Sequence, residues 1–162
     1  MAKIVGIKFK HTGKIYYFDP TDKQFKKGDT VIVEAAIPSE HELTCAAYFD
    51  GREVRTLPVI EIISSTGWFD YDAKYNGLSQ EVCPAEIPQE LSEKVQEITR
   101  NIYRCLGCKG LVRMDYISSP DGIYFLEVNI IPGMTNASLV PKMVRAAGIS
   151  ITDFLTTIIE NS

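Results

Sequence analysis

Apolar and polar residues alternate with a period of two in two stretches of this chain, and a turn divides each stretch. Residues 42–63 alternate on both sides of Phe49-Asp50-Gly51-Arg52, and residues 111–129 alternate on both sides of Ser118–Gly122, which contains Pro-Asp-Gly. Successive side chains of a strand point to opposite faces, and such turn signals connect neighbouring strands. Both stretches are therefore predicted to be antiparallel hairpins.

Three other segments have the spacing of helices. The first opens at Pro88 and ends at Gly107, the second begins at Leu139 and is closed by Gly148, and the third spans 152–159. Proline at the start and glycine just past the end are typical of helix boundaries. The apolar residues of the first helix recur at helical intervals and are predicted to be core: Leu91, Val95, Ile98, Ile102 and Leu106.

The remaining segments are a long loop and a set of short strands. Residues 64–87 are predicted to form a loop, and a loop of that length usually serves a function, here as a lid. Residues 1–34 contain three short strands, at 3–9, 14–18 and 30–34. We expect these strands to extend the main sheet, because an uncovered sheet edge promotes aggregation.

These elements predict the α+β class, as an antiparallel sheet with helices on one face and short N-terminal strands. The expected division is an N-terminal β element at 1–34, of uncertain origin, and one domain at 35–162. A hydrophobic content of 45% over 162 residues is enough for a buried core.

Composition narrows the function. The net charge of −4 gives no basic excess for nucleic acid, and neither a membrane-length apolar run nor a signal-peptide core occurs, so the expected location is the cytoplasm. Cys105 and Cys108 form a Cys-x-x-Cys without a second pair for zinc. We expect the cysteines to be reduced, with a redox role for this pair as the alternative.

The second hairpin carries the candidate chemistry. With a symmetric five-residue loop, its odd-numbered residues Arg113, Asp115, Glu127 and Asn129 share one face. The even-numbered residues form an apolar face: Val112, Met114, Leu126 and Val128. Two carboxylates and an amide oxygen suit Mg²⁺ or Mn²⁺, and an arginine beside them can bridge phosphate oxygens. The alternative is a solvated face on which the arginine and the acids pair with each other.

A turn and a helix start follow this hairpin directly. Pro132-Gly133 forms the turn, and Thr135, Asn136 and Ser138 offer capping oxygens for the helix that begins at Leu139. Unpaired N–H groups at a helix start, with the Ser138 hydroxyl, would hold a carboxylate or an oxyanion. The alternative is ordinary capping by Ser138.

Four motifs in this order resemble the D-alanine–D-alanine ligases, ATP-grasp enzymes of peptidoglycan synthesis: FDYDAKY, CPAEIP, GLVRMDY and FLEVNIIPGMTNASLVPKMVRAAGIS. The resemblance runs from about Glu40 to the C-terminus and implies the second half of an ATP-grasp fold. Ile130 departs from it, replacing the small polar residue usual after the metal-binding Asn. Residues 1–34 have a shorter resemblance to the start of a bacterial cell-fate regulator linked to sporulation.

The resemblance implies roles for the hairpin and the turn. Asp115, Glu127 and Asn129 would be ligands of Mg²⁺ or Mn²⁺, with two ions expected. Arg113 would contact the transferred phosphoryl group, and Gly133 would help form the oxyanion site.

It also implies how the substrates are held. Ser138 and Leu139 would receive the carboxylate of the second D-alanine. Lys74 and Tyr75 would lie on a mobile loop that closes over ATP and the acyl-phosphate, and Glu42 would approach the ribose of ATP. This Lys-Tyr pair resembles the dipeptide-forming subgroup rather than the D-lactate-forming one.

The implied reaction is phosphorylation of one D-alanine carboxylate by ATP, followed by attack of the amine of a second D-alanine. Family members are longer, and the first ATP-grasp half is not found here, so the segment is expected to be incomplete alone. Completion by a homodimer or by a complementing chain stays open. The alternatives are a non-catalytic nucleotide- and metal-binding module and a regulatory protein defined by its N-terminal element.

Overall fold

The computed structural model describes residues 5–8, 15–18, 24, 26–30, 37–64 and 79–161, and the chain divides into two compact units, 1–36 and 37–162. In the first unit, β1 (Val5–Lys8) and β2 (Ile15–Phe18) form a two-stranded antiparallel sheet. The prediction that the N-terminal strands extend the larger sheet stays a prediction. Residues 31–34 of the third predicted strand lie outside the described residues. The division into a β element at 1–34, of uncertain origin, and a domain at 35–162 stays a prediction.

The second unit contains one six-stranded antiparallel sheet. Its strands are β3 (His41–Phe49), β4 (Val54–Thr56), β5 (Ile60–Ser64), β6 (Ser79–Val82), β7 (Val112–Ser119) and β8 (Gly122–Asn129). The order is β6-β5-β3-β7-β8, and β4 pairs with β3 beyond the end of β5. Strand β3 therefore lies at the centre, and both predicted hairpins are confirmed.

The turn between β3 and β4 is organised by Asp50. Its Oδ1 accepts hydrogen bonds from the backbone N–H groups of Arg52 at 2.9 Å and Glu53 at 2.8 Å, and its Oδ2 accepts from Arg55 Nε at 2.7 Å. These bonds favour the ionised carboxylate and lower the pKa of Asp50 to about 2. Gly51 takes φ +90°, a conformation that few other residues adopt.

In the described part of the chain, three helices lie where the sequence predicts them: α1 (Gln89–Cys105), α2 (Leu139–Ala146) and α3 (Ile151–Glu160). Helix α1 ends in a Schellman motif, in which the N–H of Gly107, at φ 62°, donates to the Arg104 carbonyl and the N–H of Cys108 donates to the Tyr103 carbonyl. The predicted loop at 64–87 is wrong in part, because β6 lies inside it and pairs with β5. No helix in the described ranges is both long and apolar enough to span a membrane.

Helices cover both faces of the sheet. Odd-numbered β3 residues and even-numbered β7 residues pack with α1; this core includes Leu43, Cys45, Ala47, Met114 and Tyr116. The opposite face packs with α2 and α3; its core includes Ala46, Tyr48, Ile60, Met143 and Phe154. The α+β class and the antiparallel sheet are confirmed, but the expected placement of all helices on one face is wrong.

Candidate functional site

The site is built on the hairpin of β7 and β8, whose connection is shorter than predicted. Only Pro120 and Asp121 lie between the strands, in place of a five-residue loop. Close to this turn, Ser119 pairs with Gly122 and Tyr116 pairs with Phe125. A regular ladder continued from these pairs would place Leu126, rather than Glu127, opposite Asp115.

A β-bulge changes this register before the functional residues are reached. The register shifts between Asp115 and Tyr116, so Leu126 is the extra residue of β8. Beyond the bulge, Asp115 pairs with Glu127 and Arg113 pairs with Asn129. The four predicted residues therefore share one face, although the reason is the bulge and not the loop length.

This face is the one on which α2 and α3 pack. In the β3–β7 ladder, Thr44 pairs with Asp115 and Ala46 pairs with Arg113, and Ala46 belongs to the core beneath α2 and α3. On the opposite face Val112 and Met114 are buried as predicted. Leu126 was predicted on that apolar face, but it is half exposed because it occupies the bulge.

Asp115 is held by two neighbouring side chains. Arg113 donates from Nε to Oδ1 at 3.0 Å and from Nη2 to Oδ2 at 2.9 Å, and Thr44 Oγ1 donates to Oδ1 at 2.6 Å. The Arg113 and Asp115 side chains are only 17% and 21% exposed, so solvent screens the pair incompletely. The pairing alternative is thus realised for these two residues. Oδ1 already accepts two hydrogen bonds and Oδ2 accepts one, so one acceptor position, on Oδ2, is left for a cation.

The other two oxygen donors are arranged differently. Glu127 is exposed, and no hydrogen bond or ion pair of its side chain occurs in the part of the chain that the structure describes. Asn129 Oδ1 accepts a hydrogen bond from Ile131 N at 3.1 Å, which fixes the orientation of the amide. No cluster of three His, Cys, Asp or Glu side chains suited to a metal is found among the described residues. A metal here would need the Asn129 amide or ligands from a substrate, so the metal assignment stays a prediction.

The loop after β8 folds back on the start of α2. A Cβ on Gly133 would lie 2.8 Å from Ser138 Oγ, which is closer than a side chain can approach. Ser138 Oγ lies 2.8 Å from Thr135 Oγ1 and accepts from Thr135 N at 3.1 Å. Ser138 is the N-cap residue of α2 but makes no side-chain cap bond. The plain capping alternative is therefore wrong, and the hydroxyl instead shapes the turn next to Gly133.

Of the other predicted site residues, the structure describes only Glu42. Glu42 lies on β3 two residues before Thr44, so it shares the site face, between Ile62 of β5 and Ile117 of β7. Lys74 and Tyr75 lie outside the described residues.

Thr44, Glu81 and Lys142 were not predicted as parts of this region. Thr44 is separated from Asp115 by 71 residues, and Lys142 donates to a carboxylate oxygen of Glu81, 61 residues away. Thr44 could have been noticed from its even-numbered position on the strand that carries Glu42. Nothing in the local sequence pairs Lys142 with Glu81.

A 320 Å³ cleft lies away from these residues, between the ends of α1, β3 and α3. Its lining includes Phe49, Tyr103 and Lys109. None of the predicted site residues contributes to it, so the cleft is not the predicted nucleotide site.

Comparisons with known proteins match the same region. The family described as D-ala D-ala ligase C-terminus matches residues 5–160, so the likeness begins well before Glu40 and includes most of residues 1–34. A D-alanine–D-alanine ligase of Phocaeicola vulgatus is 44% identical over 141 residues, which are 86% of this chain and 43% of that protein.

Two crystal structures show that the similarity also holds for the fold. The VanG D-Ala:D-Ser ligase from Enterococcus faecalis has a TM-score of 0.65 at 38% identity, over 77% of this chain and 36% of that one. A Bacillus anthracis D-alanine–D-alanine ligase complexed with ATP has a TM-score of 0.59 at 36% identity, over 75% and 37%. The chain thus spans less than half the length of these relatives.

Proposed function

This chain belongs to the D-alanine–D-alanine ligase family, matching its C-terminal part, and we propose that it supplies the metal, phosphoryl and acceptor side of an ATP-dependent ligation of D-alanine. The observation that carries the proposal is the register set by the bulge. It brings Arg113, Asp115, Glu127 and Asn129 to one face, directly before the Gly133 turn. The products would be a D-alanyl dipeptide for peptidoglycan, ADP and phosphate.

The proposed metal ligands are Asp115, Glu127 and Asn129. Their oxygens suit Mg²⁺ or Mn²⁺, and a bound ion would offset the negative charge of the ATP phosphates. The Arg113 guanidinium would contact the transferred phosphoryl group. Thr44 supports this by holding Asp115 from the neighbouring strand.

The acceptor would bind at the start of α2. No side chain caps this helix in the described part of the chain, so the first-turn N–H groups and the Ser138 hydroxyl can receive a carboxylate. In the proposed reaction, the carboxylate of one D-alanine takes the γ-phosphoryl group of ATP. The amine of the second D-alanine then attacks the acyl carbon, and phosphate leaves with the C–O electron pair. Backbone donors at Gly133 would stabilise the intervening oxyanion.

Three further roles complete the proposal. Lys74 and Tyr75 would close over ATP and the acyl-phosphate, and Glu42 would bind the ribose. The fraction of the relatives' length that this chain spans supports completion of the active site by a second copy or a complementing chain. The proposed site of action is the cytoplasm, where ATP is available.

A non-catalytic nucleotide- and metal-binding module is the second candidate. This candidate is favoured by the two hydrogen bonds between the Arg113 and Asp115 side chains, because Arg113 must leave Asp115 before it can contact a phosphoryl group. Both candidates require metal-dependent nucleotide binding, and only the first requires turnover.

Isothermal calorimetry with Mg²⁺ and ADP tests whether the chain binds nucleotide in a metal-dependent way. We expect Mg²⁺ to bind weakly alone and more tightly with the nucleotide, because phosphates supply missing ligands. Glu127→Gln should lower metal-dependent nucleotide affinity on the order of tenfold, which is about 1.4 kcal/mol. Asp121→Asn, which alters an exposed acid in the turn of the same hairpin, is the matched control and should have no effect. Unchanged binding in Glu127→Gln would refute the assignment of this residue.

A further inference from the structure

We propose that Lys142 and Glu81 are positioning residues that tie the start of α2, the expected acceptor site, to strand β6. The inference rests on the proposed function, because it assigns the pair a purpose only if a carboxylate binds at Ser138. Neither residue was singled out from the sequence.

The contact joins two elements that are distant in the chain. Lys142 Nζ donates to Glu81 Oε2, and the two side chains are 34% and 25% exposed. Glu81 lies on β6, where it pairs with Ile62 of β5 and so belongs to the site face. Strand β6 spans Ser79–Val82. The pair therefore connects α2 to strand β6.

The helix presents Lys142 on the side of the acceptor site. Ser138 is the N-cap residue of α2, and Lys142 follows it by four residues, which places the two side chains on the same side of the helix. The rotation of α2 is set by its apolar residues Val140, Met143 and Val144, which are buried against the sheet. Lys142 is thus directed toward β6 by the same packing that orients the helix start.

Helix stability alone does not account for this lysine. The first turn of α2 contains no acidic residue, and a cation near a helix N-terminus is unfavourable toward the helix dipole. Glu81 offsets that charge from the neighbouring strand. The ammonium also lies close enough to Cys83 to oppose the rise in the pKa of that thiol, which burial causes. Lys142 is therefore placed over the end of β6, where it acts between elements.

This arrangement predicts coupling between the acceptor site and strand β6. A carboxylate bound at the helix start favours one placement of α2, and the ion pair transmits that placement to β6. Ligands that favour the same arrangement bind more tightly together, typically by a factor of about 5 to 150. Loss of either partner should weaken D-alanine binding without altering any group that touches it.

Nuclear magnetic resonance on the full ¹⁵N-labelled chain, titrated with D-alanine in the presence of Mg²⁺ and ADP, tests the proposal. In the wild type we expect the amides of Ser138 and Leu139 and those of residues 79–82 to shift with a common midpoint. Lys142→Met and Glu81→Gln should each raise the dissociation constant for D-alanine about tenfold and abolish the response of residues 79–82. The double variant should be no worse than either single variant, because one interaction is lost in all three.

Two controls separate positioning from general stability. Lys142→Arg should retain the coupling, and Arg55→Met, which removes the ion pair with Asp50 in the β3–β4 turn, should leave the D-alanine constant unchanged. If Lys142→Met and Glu81→Gln lower only the melting temperature and leave D-alanine binding intact, the inference is overturned while the proposed function stands. If Ser138 and Leu139 do not respond to D-alanine in the wild type, the proposed function fails and the inference fails with it.

Discussion

Asp115 shows how individual residues prepare the candidate site before any ligand is present. Two bonds from Arg113 and one from Thr44 restrict the carboxylate to one orientation. Each donor is itself on a strand of the central sheet, so its position is set by the ladder. A group held in this way loses little freedom when it binds a ligand, which is the usual benefit of a preorganised site.

At the same scale, Asp50 predicts how the protein responds to acid. Its pKa of about 2 lies below the ordinary value of 3.8, so the ionised carboxylate stabilises the folded state at pH values above 3.8. That contribution is lost as the pH falls from about 4 to about 2. We expect Asp50→Asn to lower the free energy of unfolding by about 0.5–1 kcal/mol at pH 7. Urea unfolding should show the difference shrinking by pH 2, and a difference that persists undiminished there would contradict the assignment.

At the scale of the secondary-structure element, the bulge at Leu126 decides which face the functional residues occupy. A regular ladder from the two-residue turn would place Leu126 and Val128 on the polar face and direct Glu127 into the core beneath α1. Burying an unpaired carboxylate is far more costly than one disrupted ladder step. The alternation of apolar residues therefore selects the bulged register.

This explanation predicts different results for two single-residue deletions. Removing Leu126 leaves a regular ladder with the same pairs, Asp115 with Glu127 and Arg113 with Asn129. We expect it to change the free energy of unfolding by less than about 1 kcal/mol, because an exposed side chain is lost. Removing Val128 instead moves Asn129 to the core face, at a cost of about 2–5 kcal/mol. Chemical denaturation measures both, and equal costs for the two deletions would contradict the proposed role of the bulge.

At the scale of the whole molecule, the proposed reaction needs groups that contact the ATP phosphates from several sides. The match covers 43% of the length of the Phocaeicola vulgatus ligase, so this chain corresponds to less than half of a family member. Donors that would cover the phosphates from the opposite side were not recognised in the sequence.

We therefore expect little or no ligase turnover from the purified chain alone. Loss of one well-placed donor commonly lowers a catalytic rate by about 10²–10³, and here several are absent. Single-turnover assays with ATP, Mg²⁺ and D-alanine should detect no D-alanyl-D-alanine above background, with a complete family member as the positive control. Robust dipeptide formation by this chain would show that it covers the phosphates itself.

The sequence alone determined the three helices, the two hairpins and, within each strand of the second hairpin, the residues that share a face: Arg113 with Asp115, and Glu127 with Asn129. These features follow from short-range periodicity, since spacing along a strand or a helix assigns side chains to faces without knowledge of the neighbours.

Only the tertiary structure decided which elements meet across the chain. The side of the sheet chosen by each helix, the pairing of β6 inside the predicted loop, and the contacts of Thr44 with Asp115 and of Lys142 with Glu81 all join residues that are distant in sequence. An amphipathic helix has one apolar side, but its pattern does not specify which of two apolar surfaces that side will cover. That choice depends on how all the helices and strands pack together, and these contacts join residues that are distant in sequence.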